Sequence, residues 1–450
     1  MLIYSKKVDE KMKLFGTLNN VPSDDDELLI YTDGEGKEVE PALSLSQSFV
    51  DGGKHSIKRV EDGKEIKVFI GDVNVIPGES SPVPPTPPTP TYDPFVLFSG
   101  ESPFTMSLEA YEEGNPYIEY SMDSETWYPI GLSVEIMSGE GSKIYLRGLG
   151  NKWVNNNVLG ITITGENISV SGNVEALLDY QVVLAGGHPE MGEYCYTGLF
   201  SYNESIISVA QLQLPAPTLV EYCYHQMFCD CTSLTTAPAS ISATILADYC
   251  CQEMFSGCTS LITTPALPAT TLADYCYHQM FYNCTALTTA PELPATILAN
   301  ECYGSMFNIC TALTTAPELP ATALADYCYE GMFSECTALT TTPKLSATTL
   351  VDGCYSSMFY SCTSLTAISE LPATTLAYSC YDGMFYGCTS IKLSATQDSD
   401  YTIPYRMPKE GVGTDASRAL INMFTDTGGT FTGTPTINTT YYLHKDNHIV

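Results

Sequence analysis

From Cys223 onward the chain keeps restarting. The first cysteines of successive copies fall at Cys223, Cys250, Cys276, Cys302, Cys328, Cys354 and Cys380, one interval of 27 residues followed by five of 26. A strict period of this length leaves few options. Each copy is too short to bury its own apolar face, so it must stack on its neighbours, and the expected architecture is a solenoid. The edges degenerate as caps should. Cys195 begins an earlier copy with Asn203 in place of the second cysteine, and ALINMF around Met423 and Phe424 keeps the Met-Phe pair without either cysteine.

The copy CYHQMFYNCTALTTAPELPATILANE, 276–301, gives the local expectations. A short helical turn over DYCYHQMF would turn Cys276, Met280 and Phe281 inward. Phe281, Cys284 and Leu287 continue the apolar face at spacings of three, followed by Leu293 and Leu298. The β-prone LTT segment would pair with its equivalents as a narrow parallel strand, with Pro291 and Pro294 at its exit. Tyr224, Tyr277, Tyr303, Tyr329, Tyr355 and Tyr381 recur after the first cysteine, either as packing or as an aromatic surface able to stack on sugars.

The 17 cysteines are an odd number and cannot all pair within one chain. In a helical segment Cys276 and Cys284 would lie about 12 Å apart, beyond the roughly 7 Å that a disulfide spans. A ladder of buried free thiols is the expectation.

Composition divides the rest. Residues 1–76 read as short strands between Asp-Gly turns, a β-rich anchor or assembly domain. Residues 77–94 hold eight prolines in 18 residues, a polyproline spacer. Residues 95–178 show alternating runs such as KIYLRG and ITITG, expected to form an antiparallel, Ig-like β-sandwich. The solenoid with its caps occupies 179–435, and 436–450 closes it as a C-terminal strand. The run Ser23–Glu27 lacks the spaced ligands and glycine of a calcium loop and reads as a solvated turn.

The pattern MF.GCTSL with P.LPAT.LADYCY, seen as Phe255, Cys258, Thr259 and Leu261 or Phe385, Cys388, Thr389 and Ile391, resembles the BspA-like leucine-rich repeats. It is most similar to the 26-residue version encoded by gut Bacteroidales and their tailed phages, including crAss-like phages. In those proteins a β module with a YEYS.D...W stretch often precedes the array, here Tyr117 to Asp123 and Trp127. The resemblance spans residues 95–435 and implies a leucine-rich-repeat solenoid of short parallel strands plus short helices, in a virion fibre, decoration or adhesin protein.

Charge and missing motifs narrow the role further. Formal net charge is -33, and no Lys or Arg occurs between Lys152 and Lys344, which argues against nucleic acid and anionic membrane surfaces. No apolar run of signal-peptide or membrane-span length is present, in keeping with assembly in a host cytoplasm. No nucleophile elbow, phosphate loop, dinucleotide fingerprint or zincin motif occurs, so neither an enzyme nor a cofactor is expected. His225 and His278 each follow a cysteine by two residues, but Gln252, Gly304, Glu330, Ser356 and Asp382 replace them elsewhere, which argues against a metal site. The letters that change between copies are the candidates for partner contact: His225, Gln226, His278, Gln279, Tyr282, Asn283, Glu330, Tyr360, Asp382 and Tyr386.

The expected role is therefore a phage structural protein on the particle exterior. It would be anchored to other virion proteins by its N-terminus and would present the repeats to a bacterial surface protein or glycan. Further copies of the chain itself are a third class of partner. A bacterial cell-surface adhesin is the alternative.

Overall fold

The computed structural model describes residues 94–450 apart from 101, 111–116, 131–134, 139–142, 157–158, 409 and 412–415, together with five strands between residues 3 and 67. Among these residues the protein is strand-rich with few helices, in several small sheets and no closed barrel. The chain divides into two compact units, Met1–Pro87 and Pro88–Val450.

In the first unit β1 (Ile3–Val8), β2 (Lys11–Thr17), β3 (Glu27–Thr32), β4 (Ser56–Arg59) and β5 (Glu65–Lys67) form one antiparallel sheet in the order β2-β1-β3-β4-β5. The proline-rich stretch 77–93 and residues 23–26 of the acidic run lie outside the described residues.

The second unit opens with β6 (Phe95–Phe98), β7 (Thr105–Ala110), β8 (Ile118–Ser121), β9 (Tyr128–Pro129), β10 (Ile136–Met137), β11 (Lys143–Gly148), β12 (Asn155–Asn156), β13 (Leu159–Thr164) and β14 (Ile168–Asn173). All but β12 supply two sheets, β10-β7-β13 and β14-β6-β11-β8-β9. Alternation does what the sequence suggests: β11 buries Ile144 and Leu146, and β14 buries Ile168 and Val170. The YEYS.D...W stretch is a structural device. The Asp123 carboxylate accepts the Glu125 and Thr126 N–H groups at 2.9 and 2.7 Å, closing the turn after β8. Arg147 lies 4.1 Å from the ring centroids of both Trp127 and Tyr180 while it pairs with Glu119 at 2.6 Å. A short helix, α1 (Ala176–Leu184), follows and packs on β11; a Cβ on Gly148 would sit 1.8 Å from the Leu177 carbonyl oxygen, so only glycine permits that approach.

The sheet takes its outer strand from beyond residue 178. After β15 (Tyr196–Thr197), β16 (Ile206–Gln213) comes from the first copy and pairs in parallel with β14. Phe95 stacks on Phe200 at 6.2 Å, and one hydrophobic core runs from Phe95 to Leu443.

In the copies themselves, the expected helical turn is replaced by another backbone solution. Tyr275, Gln279 and Asn283 have φ of 56°, 53° and 58°, and the same left-handed conformation recurs at every fourth residue of this segment in the other full copies. A left-handed residue every four positions cannot propagate an α-helix. Instead, the N–H groups alternate. Those of His278, Met280, Tyr282 and Cys284 bond three residues back at 3.0–3.2 Å, whereas those of Tyr277, Gln279, Phe281 and Asn283 cross to the carbonyls of Cys302, Gly304, Met306 and Asn308 at 2.8–3.1 Å. Half of the segment is thus a chain of turns and half is a ladder to the next copy.

Cys276, Met280, Phe281, Cys284, Leu287 and Leu293 are buried as expected, joined by Tyr277 and Ala295, while Leu298 is only partly buried. The LTT pairing is thinner than a sheet. It consists of single parallel bridges such as Thr289↔Thr315 and Thr341↔Ala367, with a second line through Thr271↔Ile297 and Ile297↔Ala323. Proline follows the threonine segment at Pro238, Pro265, Pro291, Pro317 and Pro343 and keeps the bridges from growing into strands, whereas Ser369 stands there in the copy begun by Cys354, where Ala367–Ile368 is a two-residue strand.

At the far end Tyr381, Gly383, Phe385 and Gly387 donate to the carbonyls of Ala419, Ile421, Met423 and Thr425, so the cysteine-free ALINMF fragment forms one more layer. The closing segment lies on it. Tyr401–Arg406 pairs antiparallel with Thr440–His444, and His448–Ile449 runs parallel to Ala367–Ile368.

Candidate functional site

Because the copies are in register, each position of the repeat becomes a column. Several columns face inward, the first cysteines, methionines and leucines among them, together with three formed by phenylalanine, the second cysteine and tyrosine. The phenylalanines from Phe200 through Phe385 to Phe424 stack at 5.5–5.7 Å per step. The second cysteines form another column with a specific bond: the Cys284 thiol donates to the Phe255 carbonyl at 3.2 Å, and Cys258, Cys310, Cys336, Cys362 and Cys388 repeat this at 2.9–3.1 Å. All 17 cysteines are free and buried. Burial pushes the Cys310 and Cys362 thiols up to about 12, which keeps the proton on sulfur for that bond and makes these groups poor nucleophiles.

The third column is the tyrosine after the first cysteine. Tyr224, Tyr277, Tyr303, Tyr329, Tyr355 and Tyr381 are all buried, so they supply packing and not a sugar-stacking surface.

An aspartate ladder fixes the register at the edge of the segment. The Asp248 carboxylate accepts the Asp274 N–H at 3.0 Å, Asp274 accepts that of Asn300 at 2.9 Å, and Asp326 and Asp352 do the same for Asp352 and Tyr378 at 3.2 Å. The aspartate of LADY therefore has a backbone task that its exposure alone would not reveal.

The repeat-variable residues form columns on the remaining face of the same segment. His225, His278, Glu330 and Asp382 share one, Gln226 and Gln279 the next, Tyr282, Tyr360 and Tyr386 a third, and Asn283 a fourth; all ten are half-buried, not freely exposed. The structure brings some of them together. Tyr360 stacks on Tyr386 at 4.8 Å, the Gln226 amide donates to Glu253 at 2.8 Å, and His278 lies 3.6 Å from the Glu301 carboxylate. It does not gather them into one pocket, because His225 and Asp382 stand six copies apart.

Electrostatics follow from this partial burial. Burial lowers the pKa of His225 and His278, with neighbouring Glu253 and Glu301 opposing the shift, so both rings are neutral near pH 7. Burial raises the carboxyls of Glu330 and Asp382, and a hydrogen bond to Asp426 raises the Tyr386 phenol. Among the described residues no group of three or more His, Cys, Asp or Glu side chains is arranged to hold a metal ion.

One column of this face escaped sequence reasoning. Tyr194, Tyr222, Tyr249 and Tyr275, each immediately before a first cysteine, stack outside the core at 4.5–4.7 Å, and Tyr275 ends the run by donating to Glu301 at 2.7 Å. His225 and His278 meet the rings of Tyr222 and Tyr275 edge-on at 5.5 and 5.6 Å. The signal was present in the text DYCY, where tyrosine stands on both sides of the cysteine. Since the rings cover one another's faces, what this column offers outward is ring edges and hydroxyls, suited to hydrogen bonding more than to stacking.

No protein-family model, curated protein or solved structure matches this chain.

Proposed function

We propose that residues 195–424 form a BspA-like leucine-rich-repeat solenoid whose cysteine-bearing segment doubles as a recognition wall. On this reading the protein is a non-enzymatic phage structural protein, a head or tail fibre or decoration, held by residues 1–76 and displaying the wall to a bacterial surface protein or glycan. The observation that carries the proposal is the separation of roles within each copy. The fixed letters Cys276, Met280, Phe281 and Cys284 are buried, while the letters that change, His278, Gln279, Tyr282 and Asn283, are only half-buried, and where the equivalent is small, as at Ser256, Ser334 and Ser356, it is buried. A surface that varies in chemistry along a constant frame is what selective binding to an extended partner requires.

The test uses the full chain. Labelled protein should bind Bacteroidales cells, and the combined substitution Tyr282→Ser, Tyr360→Ser and Tyr386→Ser should weaken that binding severalfold with the melting temperature held within a few degrees. Absence of binding by the natural chain, or equal binding by the variant, would remove the wall as the contact surface. Antibody labelling of purified particles by electron microscopy tests the virion assignment separately.

A further inference from the structure

The stretch of each copy between the two lines of bridges opens where prolines enter it. In the copy begun by Cys223 this stretch closes on the next layer: Ser240 bridges Ala266, Ile241 donates to the Ala266 carbonyl at 3.1 Å, and Ala266 donates to the Ala239 carbonyl at 3.0 Å. The Ser242 N–H reaches the Leu214 carbonyl at 3.1 Å. Pro268, Pro294 and Pro320 take the place of Ser242 in the following copies and have no N–H to give. Among the described residues no backbone hydrogen bond joins 291–294 to 265–268 or to 317–320. The N–H groups of Glu292, Leu293, Glu318 and Leu319 are left without a protein acceptor.

Two adjoining clefts result. One of about 470 Å³ lies between 265–268 and 291–294, and one of about 320 Å³ lies between 291–294 and 317–320. Their walls are proline rings and the edges of Leu267 and Leu293. The exposed Glu292 lines both clefts, and the exposed Glu318 lines the second. No cation of the chain is at hand to neutralise them over most of the array, because Lys and Arg are absent between Lys152 and Lys344. Lys344 itself takes the place of the glutamate one copy beyond Glu318, and Ser346 takes that of the proline, so the pattern of proline and carboxylate ends there.

We propose that these two clefts dock a short extended peptide segment of a partner protein, one that alternates apolar side chains with Lys or Arg. Each part of the pattern answers a feature of the clefts. The apolar side chains meet the proline rings and the leucine edges. The cations meet Glu292 and Glu318, the only charged groups that line the clefts. The carbonyls of the segment supply acceptors for main-chain N–H groups that have none in the stack, as in the addition of a strand to an open edge. None of the lining residues belongs to the cysteine-bearing segment, so the clefts are independent of the recognition wall.

Fluorescence anisotropy of a labelled Arg-Val-Arg-Val-Arg peptide, titrated with the full chain at about 0.15 M salt, tests this. The peptide should bind saturably, and its Glu-Val-Glu-Val-Glu counterpart should not. The double variant Glu292→Gln with Glu318→Gln should bind the basic peptide about three- to tenfold more weakly. The double variant Glu193→Gln with Glu204→Gln removes the same charge from exposed positions of the first copy and should bind as the natural chain does. A basic peptide with alternate backbone nitrogens methylated keeps its charge, cannot lie along the clefts as a strand, and should bind about tenfold more weakly. Absence of saturable binding, equal affinity in the two double variants, or equal binding of the methylated peptide would each overturn the proposal.

Discussion

The sheet around β11 and the cysteine-bearing segment of the copies both bury apolar columns, yet they satisfy the backbone in different ways. In the sheet every residue of β11 faces a partner strand, with antiparallel pairs to β6 and β8, and side chains alternate in and out. In the copies only alternate N–H groups cross between layers, and a left-handed residue resets the chain every fourth position. The sheet is stabilised chiefly by faces, whereas the stack depends on each layer holding the next. A disturbance in the stack should therefore spread further than the same disturbance in the sheet.

Truncating one core residue in each region tests this most strongly. Phe281→Ala removes a ring that stacks at 5.6 Å on both Phe255 and Phe307 and should cost about 3–5 kcal/mol. Ile144→Ala in β11 should cost about 2–5 kcal/mol. The difference lies in cooperativity. Urea unfolding of Phe281→Ala should show a smaller m-value as the stack melts in two parts, while Ile144→Ala keeps the natural m-value. Equal m-values in both variants would deny that the stack transmits damage differently.

Cysteine sharpens the comparison, because the sheet has nothing like it. The Phe255 carbonyl accepts the Cys258 N–H at 3.2 Å and the Cys284 thiol at 3.2 Å, so the thiol is a second bond from the next layer. Cys284→Ala should cost about 1 kcal/mol in chemical denaturation. A cost near zero would reduce the thiol column to space filling.

Backbone handedness gives a pair of opposite signs. Gly331 and Gln279 occupy the same repeat position, at φ 58° and 53°. Gly331→Ala should lose about 1–2 kcal/mol to left-handed strain, and Gln279→Gly should gain about 0.5–1 kcal/mol by relieving it. Shifts of the same sign in thermal melts of the two variants would show that these positions are not equivalent.

How much of this could be read in advance follows from the same contrast. The strands of residues 95–173 were legible because alternation with period two is local information; KIYLRG announces β11. The inward set Cys276, Met280, Phe281 and Cys284 was legible from recurrence alone, but the helix assigned to it was not right, because i, i+4, i+5 burial fits either a helix or a four-residue chain of turns. Glycine held the deciding clue. Gly257, Gly331, Gly353, Gly383 and Gly387 all fall in the three left-handed positions of their copies. The half-burial of His278 and Tyr282 was out of reach because it depends on layer spacing, which the sequence of one copy does not carry.

The smallest effect concerns the histidines of the wall and links its electrostatics to folding. Burial lowers the pKa of His278 in the folded chain below its unfolded value near 6.5. In the window between the two values the unfolded chain binds more protons. The contribution to stability is therefore complete above about pH 6.5 and is lost as pH falls through that window. Gln252 shows that glutamine is accepted at this repeat position. His278→Gln should flatten the stability profile between pH 7 and 5 by less than about 1 kcal/mol and leave stability at pH 8 nearly unchanged. The same variant leaves the sheet untouched, so any change in the slope reports on the wall alone. A steeper profile in His278→Gln than in the natural chain would mean that Glu301, 3.6 Å away, and not burial, governs this ring.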